Sequence, residues 1–266
     1  LLNGGRSESY AIVPDYYNGI LPKVVAKVGE KVKAGSVLMI DKNRPEIKFV
    51  SPVSGEVTAV NRGEKRKVLS IVVKPDAQIE YEEFGKKNVA SLQGAEVKEV
   101  LLNAGMWPFI KQRPYDIVAA PLDTPRDIFV SAFYSAPLAP NFDFIVKGQE
   151  ADFQTGLNAL AKLTNGKVYV GVRSGSVVSG VKGVEIVEVE GPHPAANVGV
   201  QINHIKPVNK GEVVWTVNPA DVIVIGRLFN KGVADFSRMV AITGSETTER
   251  GYVKTISGCT IKSLVN

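Results

Sequence analysis

Apolar residues recur along this chain with two different periods. Between residues 22 and 74 they alternate with polar ones in short Val/Ile runs interrupted by Gly and Pro. Examples are Val28-Gly29-Glu30-Lys31-Val32-Lys33-Ala34-Gly35 and Ser51-Pro52-Val53-Ser54-Gly55-Glu56-Val57. Alternation with turn residues at this density predicts β-hairpins, with tight turns at Gly29 and Gly35 and a second hairpin marked by Pro52 and Gly55. From 96 to 205 helical and strand periods take turns. Val97, Val100, Leu101 and Ala104 stand at helical spacing before Gly105, and Phe153, Leu157, Leu160 and Ala161 repeat the pattern before Asn165-Gly166. The runs 117–120, 128–133, 168–172 and 184–189 read as strands, and such alternation predicts an α/β layer. The run 213–217 is followed by Asn218-Pro219, an N-cap and N1 pair, and then by Val222, Ile223, Ile225, Leu228 and Phe229 up to Asn230-Lys231-Gly232. This predicts a strand and a well-buried helix. The runs 238–243, 252–256 and 259–264 read as further strands.

At 266 residues, two or three compact modules are expected. The pattern divides into a β-rich module over 1–90, a Rossmann-like α/β module over 91–206 and a third over 207–266. In the third, a helix laid on a small mixed sheet resembles the β-grasp arrangement. The phrase Val-Gly-Glu-x-Val-x-x-Gly followed by Ser-Pro-Val-Ser-Gly-x-Val resembles the barrel-sandwich of lipoyl and biotinyl carrier domains. Lys42 is the one candidate for a carrier's modified lysine. The following Asn43-Arg44-Pro45-Glu46 departs from the carrier pattern and the return to Ser51-Pro52 is long, so modification is not expected.

Composition narrows the picture. Forty Val and 18 Ile against 15 Leu favour strands, because β-branched side chains pack well on a pleated surface. No apolar run approaches the length of a membrane-spanning helix, so any membrane association is expected through partners or a peripheral contact. A single cysteine, Cys259, excludes internal disulfides, Cys-only iron–sulfur clusters and the usual zinc frameworks. The chain begins Leu1-Leu2-Asn3-Gly4-Gly5, which suggests a fragment without a signal peptide. Its net charge is +5, yet residues 23–74 hold twelve Lys/Arg against five Asp/Glu, a surplus of +7. Much of that lies in Arg62-Gly63-Glu64-Lys65-Arg66-Lys67. Phe49 is the one aromatic of the stretch, so nucleic acid is not the expected partner. A solvated hairpin face or a docking surface for an acidic partner accounts better for the charge.

A Rossmann-like layer invites a nucleotide, but neither Gly-x-Gly-x-x-Gly nor Gly-x-x-x-x-Gly-Lys-Ser/Thr occurs, so the glycines that let backbone amides cradle a phosphate are missing. The Gly- and Ser-rich stretch 171–183 reads as a loop. His193 and His204 stand eleven apart, without metal-ligand spacing or a catalytic constellation. His193 lies between Pro192 and Pro194, which suggests a fixed structural turn or an interface contact. Trp107, Phe109, Lys111 and Arg113 stand close together and are of the types a quinone slot uses, apolar surface beside hydrogen-bond donors. Core packing and a surface ion pair are the plainer reading of the same residues.

Five phrases carry a family resemblance over nearly the whole chain: Pro14-Asp15-Tyr16-Tyr17-Asn18-Gly19, Asn61-Arg62-Gly63-Glu64-Lys65-Arg66, Trp107-Pro108-Phe109 with Arg113-Pro114, Gly191-Pro192-His193-Pro194-Ala195, and Asp221-Val222-Ile223-Val224-Ile225-Gly226-Arg227-Leu228-Phe229. With the module order, they resemble the A subunits of bacterial sodium-translocating NADH:quinone oxidoreductases. These are related to the C subunits of Rnf complexes and to the flavin-binding subunit of respiratory complex I. The resemblance implies a peripheral subunit at the cytoplasmic face of the bacterial inner membrane. It would be bound to the membrane-embedded B and C subunits and hold no cofactor of its own, while other subunits of the complex use NADH, flavins and iron–sulfur clusters. Ala104-Gly105-Met106-Trp107-Pro108-Phe109 stands where the complex I relative has its glycine-rich loop. The family also implies quinone contact, and segments beyond both ends of this chain. The isolated chain is not expected to be catalytic. A component like the Rnf C subunits and a free-standing carrier-like protein are the alternatives.

Overall fold

The computed structural model describes residues 1–2 and 6–265. They form two compact units, the first made of Leu1–Gly85, Leu102–Pro108 and Val233–Asn266, the second of Lys86–Leu101 and Phe109–Gly232.

In the first unit the alternating segments become β1 (Tyr10–Ile12), β2 (Pro22–Val24), β3 (Lys31–Val32), β4 (Val37–Asp41), β5 (Lys48–Val50), β6 (Gly55–Arg62) and β7 (Val68–Pro75). One sheet runs β1-β7-β6-β3 and the other β2-β4-β5, all pairs antiparallel. Leu38, Met39, Phe49, Val57, Ile71 and Val73 are buried. Ile71 and Val73 stand two apart, as the period-two pattern requires of an inward face, whereas the consecutive Leu38 and Met39 are both covered beside a register shift in β4. Gly29 and Gly35 have φ of +87° and +103°, the left-handed conformations expected of their turns. Gly55, with φ of +156°, is held to glycine by space as well, since a Cβ there would lie 1.9 Å from the carbonyl oxygen of Lys74. The β4–β5 connection is organised by buried Asp41, which accepts hydrogen bonds from the backbone of Leu21 and Asn43 and from Arg44 Nε at 2.8 Å. Lys42 is exposed beside it.

The second unit holds α1 (Gly94–Asn103, whose last two residues belong to the first unit), β8 (Lys111–Arg113), β9 (Ile117–Val118), β10 (Ile128–Ser131), α2 (Phe142–Val146), α3 (Glu150–Ala161), β11 (Val168–Val172), β12 (Glu185–Glu188), α4 (Val198–Ile205), β13 (Val214–Thr216) and α5 (Pro219–Lys231). Its sheet runs β12-β11-β10-β13-β8-β9. The first four are parallel to one another, whereas β8 is antiparallel to β13 and β9 to β8. From β10 the chain steps outward to β11 and β12, then returns to place β13 on the other side of β10. The strand order therefore reverses between β10 and β13.

This pairing corrects the expected boundary at 206/207. β13 pairs with β10 through Ile128↔Trp215 and Phe129↔Thr216, so the strand at 214–216 completes the α/β sheet and does not begin a third module. The following helix, expected on a grasp-like sheet, lies against α3, where Gly156 and Gly226 allow the backbones to meet. A strand's sequence specifies its apolar faces but not the edge it joins, and the open edge of β10 decided the matter. After α5 the chain returns to the first unit as the hairpin β14 (Ser237–Ile242) and β15 (Gly251–Ile256). The strand expected over 259–264 does not form: Cys259 makes a single bridge to Tyr10, and Ile261–Ser263 is a 3₁₀ turn.

Candidate functional site

In open parallel sheets, ligands sit outside the carboxyl ends of the strands where the order reverses. A cleft of about 260 Å³ opens at that place in the second unit. Ser131 comes from the end of β10, Thr216 from the end of β13, Lys111 and Arg113 from β8, and Asp221 from the first turn of α5. The antiparallel register sets Lys111 directly across from Thr216 and Arg113 across from Val214. Phe109 and Phe133 supply apolar wall.

The polar groups of the cleft are unequally satisfied. Ser131 Oγ accepts a hydrogen bond from Gln201 Nε2 at 2.9 Å. Arg113 Nε lies 3.4 Å from Asp116 Oδ1, a carboxylate that also faces the cleft. Burial lowers the Lys111 pKa, and the carboxylates of Asp116 and Asp221 act in the opposite direction. Thr216 as a residue is only 5% exposed. The helix ends beside the cleft are closed by their own caps. Asn197 Oδ1 accepts from Gly199 N at 3.0 Å at the start of α4, and Asn218 Oδ1 from Ala220 N at 3.0 Å at the start of α5. The first residue of α5, Pro219, has no N–H to offer.

Of the four residues grouped from sequence, Phe109, Lys111 and Arg113 come together in this cleft. Trp107 does not, being fully buried and no part of its wall. Its neighbour Met106 is fully buried as well, so the stretch 104–109 carries bulky core side chains. Pro192, His193 and Pro194 lie exposed in the turn between β12 and α4. His193 Nδ1 is 3.1 Å from Ser135 Oγ, which accepts from Ala196 N, and Ala196 lines the cleft. Arg62, Lys65, Arg66 and Lys67 form the exposed tip of the β6–β7 hairpin. There Lys67 Nζ bonds Asp15 Oδ2 at 2.6 Å and Arg62 Nη1 donates to the Arg66 carbonyl. Sequence reasoning missed Ser131, Thr216, Asp116 and Asp221. The available signal was the strand-to-helix junction Thr216-Val217-Asn218-Pro219, because such junctions lie at the carboxyl edge of a parallel sheet. No group of three or more His, Cys, Asp or Glu able to hold a metal occurs among the described residues.

Two family models match: the NqrA N-terminal barrel-sandwich hybrid domain over residues 1–76 and the NqrA second alpha/beta domain over 92–234. The chain belongs to the NqrA family. The second NqrA match ends just beyond α5, in agreement with the membership of β13 and α5 in the α/β sheet. The A subunit of the Na(+)-translocating NADH-quinone reductase of Hahella chejuensis is 38% identical over 259 residues, covering 96% of this chain and 58% of that protein. The A subunit of Neisseria meningitidis serogroup A is 36% identical over 258 residues, 96% of this chain and 58% of its own length. That of Photorhabdus laumondii is 35% identical over 266 residues, 98% and 60%. This NqrA-family chain thus spans about three-fifths of the curated relatives it matches. No helix among its described residues is long and apolar enough to cross a membrane.

Proposed function

We propose that this chain works as part of the A subunit of a sodium-translocating NADH:quinone oxidoreductase, coupling respiratory electron transfer to sodium export. The observation that carries the reading is 36–38% identity to named A subunits over 96% of the chain. In this reading it is a peripheral component at the cytoplasmic face of the membrane, held by the membrane-embedded B and C subunits. NADH oxidation and the flavin and iron–sulfur steps belong to other subunits, and the isolated chain neither oxidises NADH nor binds flavin. The buried Met106 and Trp107 support that view, because bulky core side chains fill a stretch that would have to bring bare backbone to a phosphate.

The switch-point cleft receives the quinone headgroup. Phe109 offers apolar surface, and Lys111 and Arg113 offer donors to the carbonyl oxygens. The test has two arms. A tagged chain expressed in a host that makes the complex should copurify with the other subunits. Lys111→Met and Arg113→Gln should raise the quinone KM several-fold, with the NADH KM unchanged. Purification of the chain alone from membranes that retain full activity would refute the subunit assignment. An unaltered quinone KM would refute the cleft's role.

A further inference from the structure

We propose that the tip of the β6–β7 hairpin, together with Tyr16, is a contact surface for the anionic headgroups of a lipid bilayer. The inference goes beyond the subunit reading, since it concerns lipid and not a partner chain.

The tip projects from its sheet. β1 pairs with β7 from Val73 to Ile71. On its far side β6 is bonded to β3 and to the turn before it only as far as Val57 among the described residues. Beyond those positions the two strands pair only with each other, through Asn61↔Ser70 and Arg62↔Val68. Arg62, Lys65 and Arg66 are exposed there beside a single carboxylate, Glu64. None of the three cations takes part in an ion pair among the described residues, whereas Lys67 is held by Asp15 at 2.6 Å.

The backbone presents these cations under strain. Lys65 and Arg66 follow one another with φ of +51° and +61°, the left-handed region in which the Cβ of an ordinary residue is crowded. A turn that served only to join two strands would take Asn or Gly at such places. Lys and Arg at strained positions point to a use for their charge.

The side chains next to the tip decide between partners. Lys67 and Leu69 stand two apart on extended chain and so share a face. Leu69 is 42% exposed and lies over Gly63, where a Cβ would be 3.3 Å from Leu69 Cδ2. The bond from Lys67 to Asp15 brings Tyr16, 78% exposed, to that side. A phenol ring and an aliphatic chain beside flexible cations suit the headgroup level of a bilayer, where the apolar parts enter its margin and the cations meet phosphates. A protein interface is instead built around anchors in a packed, desolvated centre, and this tip spreads its charges over a projecting turn. Attraction to the bilayer also brings the chain to any partner embedded in it, so the rate of assembly shares its salt dependence.

The experiment sediments this chain with vesicles of phosphatidylcholine alone, or with about one-third phosphatidylglycerol, across a salt series. No other subunit is present, so the outcome is independent of the subunit assignment. The chain should partition at least about ten-fold more strongly onto the anionic vesicles at low salt, with the difference fading at high salt. Lys65→Ser with Arg66→Ser should weaken that binding by about ten-fold or more. Tyr16→Ser should weaken it by about three-fold and leave its salt dependence unchanged. Lys210→Ser with Lys262→Ser removes the same charge from exposed positions elsewhere. That variant should bind within about two-fold of the parent chain, because separated charges are screened. Equal binding to both kinds of vesicle overturns the inference. So does an equal loss in the Lys210 and Lys262 variant, which would mean that net charge alone is read. A tip variant that keeps its vesicle binding but no longer copurifies with other subunits also overturns it, and makes the tip a protein-docking site.

Discussion

Asp127 anchors the amino-terminal end of the α/β sheet. It is 1% exposed, and its Oδ2 accepts hydrogen bonds from Lys206 Nζ and Arg126 Nε, both at 2.8 Å, while Oδ1 accepts from the backbone of Lys167 at 3.0 Å. Burial alone raises a carboxyl pKa, but the bonds from Lys206, the Lys167 amide and Arg126 outweigh it and hold Asp127 below the ordinary carboxylate value. A folded-state pKa below the unfolded one contributes stability that is present above the unfolded value of about 4 and is lost as pH falls through the folded value. Asp127→Asn should therefore cost about 3 kcal/mol at neutral pH, since it leaves buried donors facing an amide. The cost should shrink on acidification below about pH 4. Urea denaturation of both proteins across that range measures it, and a pH-independent difference would contradict the linkage. Arg126 is the adjacent residue, but the two lysine partners were not legible in sequence, because Lys167 and Lys206 lie 40 and 79 positions away.

At the scale of elements, α5 shows how local and tertiary information divide. Its start at Asn218-Pro219, its buried face and its end at Gly232, which adopts φ of +77°, follow from capping chemistry and apolar content and could be read in advance. Its partner could not. α5 meets α3 where a Cβ on Gly226 would lie 1.7 Å from the carbonyl oxygen of Asp152, and one on Gly156 would lie 2.1 Å from that of Val222. Beside this contact, Arg227 donates to Gln149, and Asn230 Nδ2 donates to Asp152 Oδ1 at 2.7 Å. Helix propensity alone says that Gly226→Ala stabilises by about 1 kcal/mol. The approach of the two backbones says the opposite and wins, because backbone cannot move aside as a flexible side chain does. We expect Gly226→Ala to destabilise by about 3 kcal/mol net. Thermal or urea unfolding decides the sign.

For the whole molecule, the charge surplus of residues 23–74 is smaller in the folded chain than in the sequence. Lys31 lies 3.8 Å from Asp76 and Lys33 3.9 Å from Glu80, both carboxylates from outside that stretch. The exposed tip of the β6–β7 hairpin remains, with Lys65 and Arg66 both in left-handed conformations. If this tip contributes to docking, replacing Lys65 and Arg66 with Ser should slow assembly with partner subunits several-fold at low salt, with the difference fading at high salt. Lys67 is left out because its bond to Asp15 gives it a role within the fold. Association rates measured across a salt series would show an unchanged profile if the tip is only solvated. By itself the sequence determined the periods of its elements, their caps and turns, the barrel-sandwich and α/β classes, and the grouping of Phe109, Lys111 and Arg113, because these depend on neighbours within a few residues. Tertiary structure alone decided that β13 and α5 belong to the α/β sheet, that Trp107 stays out of the cleft, and that Thr216 and Asp221 enter it. These outcomes depend on which strand edge was open and how closely two helices could approach, and both are set by residues far apart in the chain.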